Sequence, residues 1–313
     1  MPRRRHLLAP TPYLGGSFSV KYCRELTVEP KACLRAILGD LGVRRLRLMS
    51  YWNEHEKQPG SYDFAELDWQ MDMAAEYGAR VSLCLGKRQP RWPECHMPDW
   101  AHKLDKAEWY EHLYAFIRTV VERYRDHPAL ESWQLENEAL LRSFGHCPDK
   151  DFSHARLRKE LATVKRLDPM HPVIMTLSDN WGFPWRRPWP DIFGFSVYTM
   201  VMNKRRQYEA TKFAWWWHRF RANVIRLVTR RPVILHELQA EPWGDRPIPR
   251  MTPEQQAISM NPERLGYNVG FACRIDKAPV YLWGLEWWYL RRSQGDEGMW
   301  SAARRVYRTV RQG

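Results

Sequence analysis

No stretch of the 313-residue chain approaches the roughly 18 consecutive apolar residues that a membrane-spanning helix requires. The basic start, MPRRRHLLAPTPYLGG, has its apolar run broken by prolines before a signal-peptide core can form. Together these absences make a soluble, cytoplasmic protein with no membrane partner the expectation. Cys23, Cys33, Cys84, Cys95, Cys147 and Cys273 lie far apart and contain no CxxC pair. Cys95 adjoins His96 and His146 adjoins Cys147, but neither has the spaced second pair of a structural zinc site, so no metal and reduced thiols are expected. Acidic residues are outnumbered, 36 to 49 Lys and Arg, giving a formal charge of +13 that would suit a polyanion. The basic residues spread along Arg156 to Lys165, Arg219 to Arg231 and Arg304 to Arg311 without a nucleic-acid motif. A solvated basic face, with no nucleic-acid partner, is the reading.

What the chain does contain is an alternation. Short β-branched or aromatic runs end in polar residues, and each is followed by a longer amphipathic stretch. Strands are predicted at 16–20, 44–49, 79–86, 129–138, 172–178, 191–198, 231–238 and 279–286. Helices are predicted from Pro30 to Gly42, over 64–78, from Asp105 to Arg125, over 151–167 and over 207–229, with two more in MTPEQQAISM and PERLGYNVGFACR. The fifth connection, NWGFPWRRPW, is poor in helix signal. Eight such units without a Pro/Ser/Gly-rich linker predict a single (β/α)8 TIM barrel spanning 1–313, with a short basic tail over 1–12. A doubly wound open sheet is the alternative, but no glycine-rich GxGxxG turn follows the first strand.

Active sites of this fold sit at the C-terminal ends of the strands. The residues that close the runs are therefore the candidates: Arg47 with Tyr51, Trp52 and Glu54; Lys87 and Arg88; Asn137 and Glu138; Asp179 and Asn180; Tyr198; His236 and Glu237; and Trp283, Glu286 and Trp287. Glu138 and Glu237 close the fourth and seventh strands, so their carboxylates can converge across a barrel mouth. Two converging carboxylates suit glycosidic cleavage, one protonated to donate to the leaving oxygen and one ionised to attack or stabilise the anomeric carbon. A separation of about 5–5.5 Å gives retention, whereas about 6.5–9.5 Å admits a water and gives inversion.

The sequence also resembles a family. WQLENE at the end of strand four and VILHE at the end of strand seven look like the retaining glycoside hydrolases of the clan that includes family 5 cellulases and family 42 β-galactosidases. RLRLMSYWNEHEKQPGSYDFAELD is similar to their strand-two region, and Tyr198 and the Trp-rich strand eight also match. Strand alternation places Gln134, Glu136 and Glu138 on one face and leaves the choice between the glutamates open. The resemblance implies Glu138 as acid/base and Asn137 as the 2-hydroxyl binder; Glu136, one pleat deeper, reads as a buried, paired acid. The resemblance further implies Glu237 as nucleophile, Arg47 favouring its ionised form, Tyr198 hydrogen-bonding it, and Trp283 or Trp287 as a stacking floor, with Trp52 at the mouth. No cofactor is implied, and the substrate would be an oligo- or polysaccharide. Ala139 stands where the clan commonly has Pro, and Gly86, Lys87 and Arg88 stand where family 5 enzymes have His. A transglycosylase with the same intermediate, or a barrel that only binds sugar, are the alternatives.

Other aromatic stretches divide between packing and binding. PRWPECHMPDW is either a substrate lip carrying Trp92 and Trp100 or a proline-stiffened connector, and EPWGDRP is a candidate opposite lip. Trp215, Trp216 and Trp217 read as packing, and His236 as a core histidine facing away from Glu237.

Overall fold

A computed structural model describes residues 13–149, 151–178, 182–203, 205–276 and 278–311. The basic stretch 1–12, and Asp179 and Asn180 after the fifth strand, lie outside the described residues. The strands are β1 (Leu14–Ser17), β2 (Arg45–Met49), β3 (Arg80–Leu85), β4 (Leu130–Leu135) and β5 (Val173–Leu177). They continue with β6 (Ile192–Val197), β7 (Met200–Met202), β8 (Tyr208–Ala210), β9 (Val233–Gln239) and β10 (Val280–Trp283). A closed barrel runs β1-β10-β9-β6-β5-β4-β3-β2, with β7 and β8 apart as a two-stranded sheet. The barrel strand pairs β1/β10, β10/β9, β3/β4 and β4/β5 are parallel, as the alternation with helices predicts. Among the described residues no helix is long and apolar enough to cross a membrane.

By packing, the chain divides into two compact units. The first comprises Arg47–Ser178 and Gly182–Gly194. Its longest helix, Lys106–Tyr124, starts where predicted: Asp105 accepts the N–H groups of Ala107 and Glu108, and Glu108 returns a bond to the Asp105 N–H. Its buried residues Trp109, Leu113, Phe116, Ile117, Val120 and Tyr124 follow the helical period, making one apolar stripe. The helix His154–Leu167 is capped by Ser153 and ends at Asp168, which accepts the Trp133 indole N–H at 2.8 Å and so ties β4 to the following turn. No helix joins β5 to β6 among the described residues, in line with the poor helix signal there.

The second unit takes in the described residues before Arg47 and those from Phe195 onward. Here β1 stops earlier than the predicted 16–20. Ser19 turns the chain by capping the helix Val20–Glu25, accepting the Tyr22 N–H at 3.2 Å, and its own N–H goes to the buried Glu286 at 2.6 Å. The helix predicted over 207–229 begins only at Trp215. Its first residues instead form β8, because the Asn203 side chain accepts the N–H groups of Arg205 and Gln207 and folds β7 back on β8. Within the helix, His218, Ala222 and Ile225 are buried; Trp216 is exposed, and Trp215 and Trp217 are half-buried.

Candidate active site

Strand β4 ends at Leu135, three residues short of the prediction. Glu136 and Glu138 have φ of 55° and 45°, so the chain leaves the sheet through two left-handed residues flanking Asn137. The strand alternation used to orient this tripeptide therefore does not apply to it. Side-chain hydrogen bonds fix it instead. The Asn137 carbonyl oxygen accepts from Arg47 Nη2 at 2.7 Å, from Thr176 Oγ1 at 3.1 Å and from Gln134 Nε2 at 3.4 Å. Its amide donates to Glu94 Oε2 at 2.9 Å, and its second N–H is uncommitted among the described residues. Arg47 on β2 is fully buried and also donates to Gln134 Oε1 at 2.6 Å. Glu138 is half-buried at the strand end, with its N–H donated to Thr176 Oγ1 at 2.8 Å.

Glu136 is buried and paired. Arg156 Nη1 reaches it at 2.6 Å, and the N–H groups of Lys87 and Arg88 donate to its two oxygens. Arg156 also bonds Glu160 and Asp151, so one buried guanidinium serves three carboxylates. Burial pushes the Glu160 carboxyl up to about 7, against the pull of Arg156. Burial also raises Asp151, but hydrogen bonds from Lys106, Tyr110 and Arg156 outweigh it and hold that carboxyl at about 2. The glycine before Lys87 is dictated by the same carboxylate: Gly86 has φ of 98°, and a Cβ there would lie 2.6 Å from Glu136 Oε1.

In the second unit, Glu237 is a buried residue near the C-terminal end of β9, and the Tyr198 hydroxyl just after β6 donates to its Oε1. The Tyr198 ring also meets Trp243 edge-on at 5.1 Å. Gln239, two residues beyond Glu237, accepts the N–H groups of Thr199 and Met200 at 3.0 Å and donates to Met200 O, which ties the two strand ends together. His236 is fully buried and packs edge-on against Tyr281 at 4.6 Å, as a core histidine does. Trp283 ends β10 with 8% exposure, and Gly284, at φ of 128°, breaks the strand so that Leu285 begins a helix.

Two expected mouth residues are packed inside. Trp52 has no exposed surface, bonds Glu56 through its indole N–H, and stacks on Phe116. Trp287 falls on the helix Leu285–Ser293 rather than on the strand, is 2% exposed and donates to Gln256 at 2.8 Å. Neither has a free ring face for a sugar. Glu94, Thr176, Gln134, Arg156 and Gln239 escaped the reading of strand ends, because each acts on a neighbour rather than at the mouth; Gln134 alone had a cue, sharing the alternation of WQLENE.

The expectation of reduced thiols is corrected: Cys95 and Cys147 form a disulfide with a Cα–Cα distance of 5.2 Å, while Cys23, Cys33, Cys84 and Cys273 are free. The cysteines beside His96 and His146 are thus joined to each other, across 52 residues of sequence. Among the described residues no cluster of His, Cys, Asp or Glu is arranged to hold a metal ion.

The closed eight-stranded barrel is a (β/α)8 TIM barrel; Glu138 follows β4 in the first unit, and Glu237 lies on β9 in the second. Residues 36–184 match the model of the family described as β-galactosidase, glycoside hydrolase family 42. Over 120 residues the chain is 32% identical to the probable mannan endo-1,4-β-mannosidase F of Neosartorya fischeri, a match covering 36% of this chain and 25% of that protein. The chain thus spans about a quarter of that relative's length. An exo-β-1,4-mannosidase from Opitutaceae bacterium strain TAV5 aligns with a TM-score of 0.63 at 16% identity, over 96% of this chain and 60% of that one. A β-galactosidase from the Antarctic haloarchaeon Halorubrum lacusprofundi aligns with a TM-score of 0.59 at 15% identity, over 87% and 52%. These two likenesses are of fold.

Proposed function

We propose that this chain is a retaining β-glycoside hydrolase that cleaves β-linked oligo- or polysaccharides by double displacement, with Glu138 as acid/base and Glu237 as nucleophile. The observation that carries the reading is the pair of glutamates, Glu138 after β4 and Glu237 on β9, one following the clamped Asn137 and the other bonded by Tyr198. The similarity to mannosidases and β-galactosidases supports the substrate class.

In this mechanism Glu237 attacks the anomeric carbon while Glu138 gives its proton to the departing oxygen. A glycosyl ester on Glu237 results, and Glu138, now ionised, takes a proton from the water that releases the sugar. The uncommitted Asn137 N–H is suited to the 2-hydroxyl, Arg47 holds Asn137 and Gln134 in place, and Trp283 supplies the stacking floor. Tyr198 orients the Glu237 carboxylate through its hydrogen bond. No metal or organic cofactor enters these steps. The whole chain is taken as one catalytic barrel domain. The disulfide favours an oxidising compartment over the cytoplasmic one that the cysteine spacing suggested.

The test is turnover of aryl β-mannosides, β-galactosides and β-glucosides by the wild type beside Glu138→Gln and Glu237→Gln, with the anomer of the first product read by NMR. Turnover by the wild type, loss in both variants and a retained anomer are expected. Full activity in folded Glu237→Gln would defeat the assignment.

A further inference from the structure

The loop after β3 carries two tryptophans that the sequence alone does not distinguish. Trp100 is half-buried, gives its indole N–H to the Glu56 carbonyl at 2.9 Å and meets Trp52 edge-on at 5.8 Å, so it is a packing residue. Trp92 is 60% exposed. Beside it stands Phe144, 40% exposed, from the loop after β4, with ring centroids 6.3 Å apart and planes at 72°.

These rings sit on backbone that is tied down from several directions. The Cys95–Cys147 disulfide joins the two loops, and the His146 N–H donates to Pro93 O at 2.8 Å. Arg88, 1% exposed, donates through its guanidinium to the carbonyls of Leu141 and of Phe144 itself. Glu94, two residues from Trp92, accepts the Asn137 amide, so the loop of Trp92 is hydrogen-bonded to the residue that precedes Glu138. Exposed aromatic surface is unfavourable in water, and ordering a loop costs conformational entropy. A doubly braced loop that holds a tryptophan in solvent, two residues from the Glu94 that bonds Asn137, presents the ring for contact. Trp216 is equally exposed but lies on the helix Trp215–Thr229 rather than on a disulfide-braced loop.

We propose that Trp92 and Phe144 form a stacking platform for a pyranose ring of an oligosaccharide, beyond the unit held at the strand ends. The C–H face of a β-linked pyranose is apolar and matches an indole face, whereas its hydroxyls stay in water at an open site. The inference rests on the saccharide reading above.

Binding without turnover tests it. The Glu237→Gln protein is titrated by calorimetry with β-1,4-linked manno- and galacto-oligosaccharides from dimer to hexamer. Adding Trp92→Ala is expected to weaken hexamer binding roughly fivefold or more and dimer binding less. Trp92→Tyr should restore most of the affinity, and Trp216→Ala should change nothing. Equal affinity with and without Trp92 overturns the platform, as does an absence of oligosaccharide binding in the parent. An equal loss at every chain length also overturns it, because a misfolded loop would behave that way. Turnover of aryl β-glycosides by the wild type is scored separately. Trp92-dependent binding in a protein that hydrolyses none of them keeps the platform and defeats the hydrolase reading.

Discussion

Arg156 Nη1 lies 2.6 Å from Glu136 Oε1 with neither side chain exposed to solvent. Through that bond a helix residue fixes the turn that bears Asn137 and Glu138, since Glu136 is also the acceptor for the Lys87 and Arg88 N–H groups. Removing one member of a buried ion pair leaves the other without a countercharge, which costs about 3–5 kcal/mol. Arg156→Met is expected to lose that much in urea denaturation, with Arg156→Lys in between. A loss under about 1 kcal/mol would show that the carboxylates relax into solvent and that the turn does not depend on the guanidinium.

Tyr198 and Glu237 offer a cleaner catalytic test, because the phenol can be removed without changing the ring. A hydrogen bond to a charged group contributes about 1.5–3 kcal/mol, or roughly ten- to hundredfold in rate if it acts on the nucleophile. Tyr198→Phe is expected to lower kcat by that factor on the best aryl glycoside, with the melting temperature changed by only a few degrees. An unchanged kcat would remove Tyr198 from the mechanism.

The disulfide should be visible in stability. Closing a loop across a separation of 52 residues removes unfolded-state entropy worth about 4 kcal/mol. Cys95→Ser, Cys147→Ser and reduction by dithiothreitol are expected to lower stability by similar amounts, and reduction should do nothing further to either variant. Two free thiols titrated at Cys95 and Cys147 in the purified native protein would contradict the bond.

A pH effect follows from His218, which is buried flat against Phe195 with ring centroids 6.0 Å apart. Burial, with Arg221 adding to it, holds this imidazole down at about 4. The unfolded chain, with an ordinary value near 6.5, binds the proton first. Stability is therefore fully present above about pH 6.5 and falls as pH drops toward 4, by up to about 3 kcal/mol. His218→Phe is expected to flatten this part of the pH–stability curve measured by denaturant titration. A curve with the same slope in both proteins would assign the loss to other groups.

The barrel was legible because strand-forming runs and amphipathic stretches alternate with few ambiguities, and an error of two or three residues at a strand end does not change the topology. Those same few residues decide the site. At Leu135 the chain leaves the extended conformation, so a rule built on alternation misorients Glu136 to Glu138. At Gly284 the strand becomes a helix, which carries Trp287 inward, where its indole finds Gln256. Trp52 illustrates a different limit: an aromatic residue after a strand reads the same whether its ring meets solvent or Phe116. The Cys95–Cys147 bond left no local mark at all, since its partners meet only after the loops following β3 and β4 have folded.

Under the proposed function, the left-handed pair at Glu136 and Glu138 sets stability against utility. A residue with a Cβ gives up roughly 1–2 kcal/mol in that conformation, and glycine gives up little. At Glu136 the ion pair and two N–H donors offset the cost; Glu138 is half-buried, with its N–H donated to Thr176. A library selected for heat resistance alone would drift toward glycine or asparagine at 138, while one selected for turnover would return glutamate. The divergence of those two selections at a single codon would measure how far the backbone has been bent to the task.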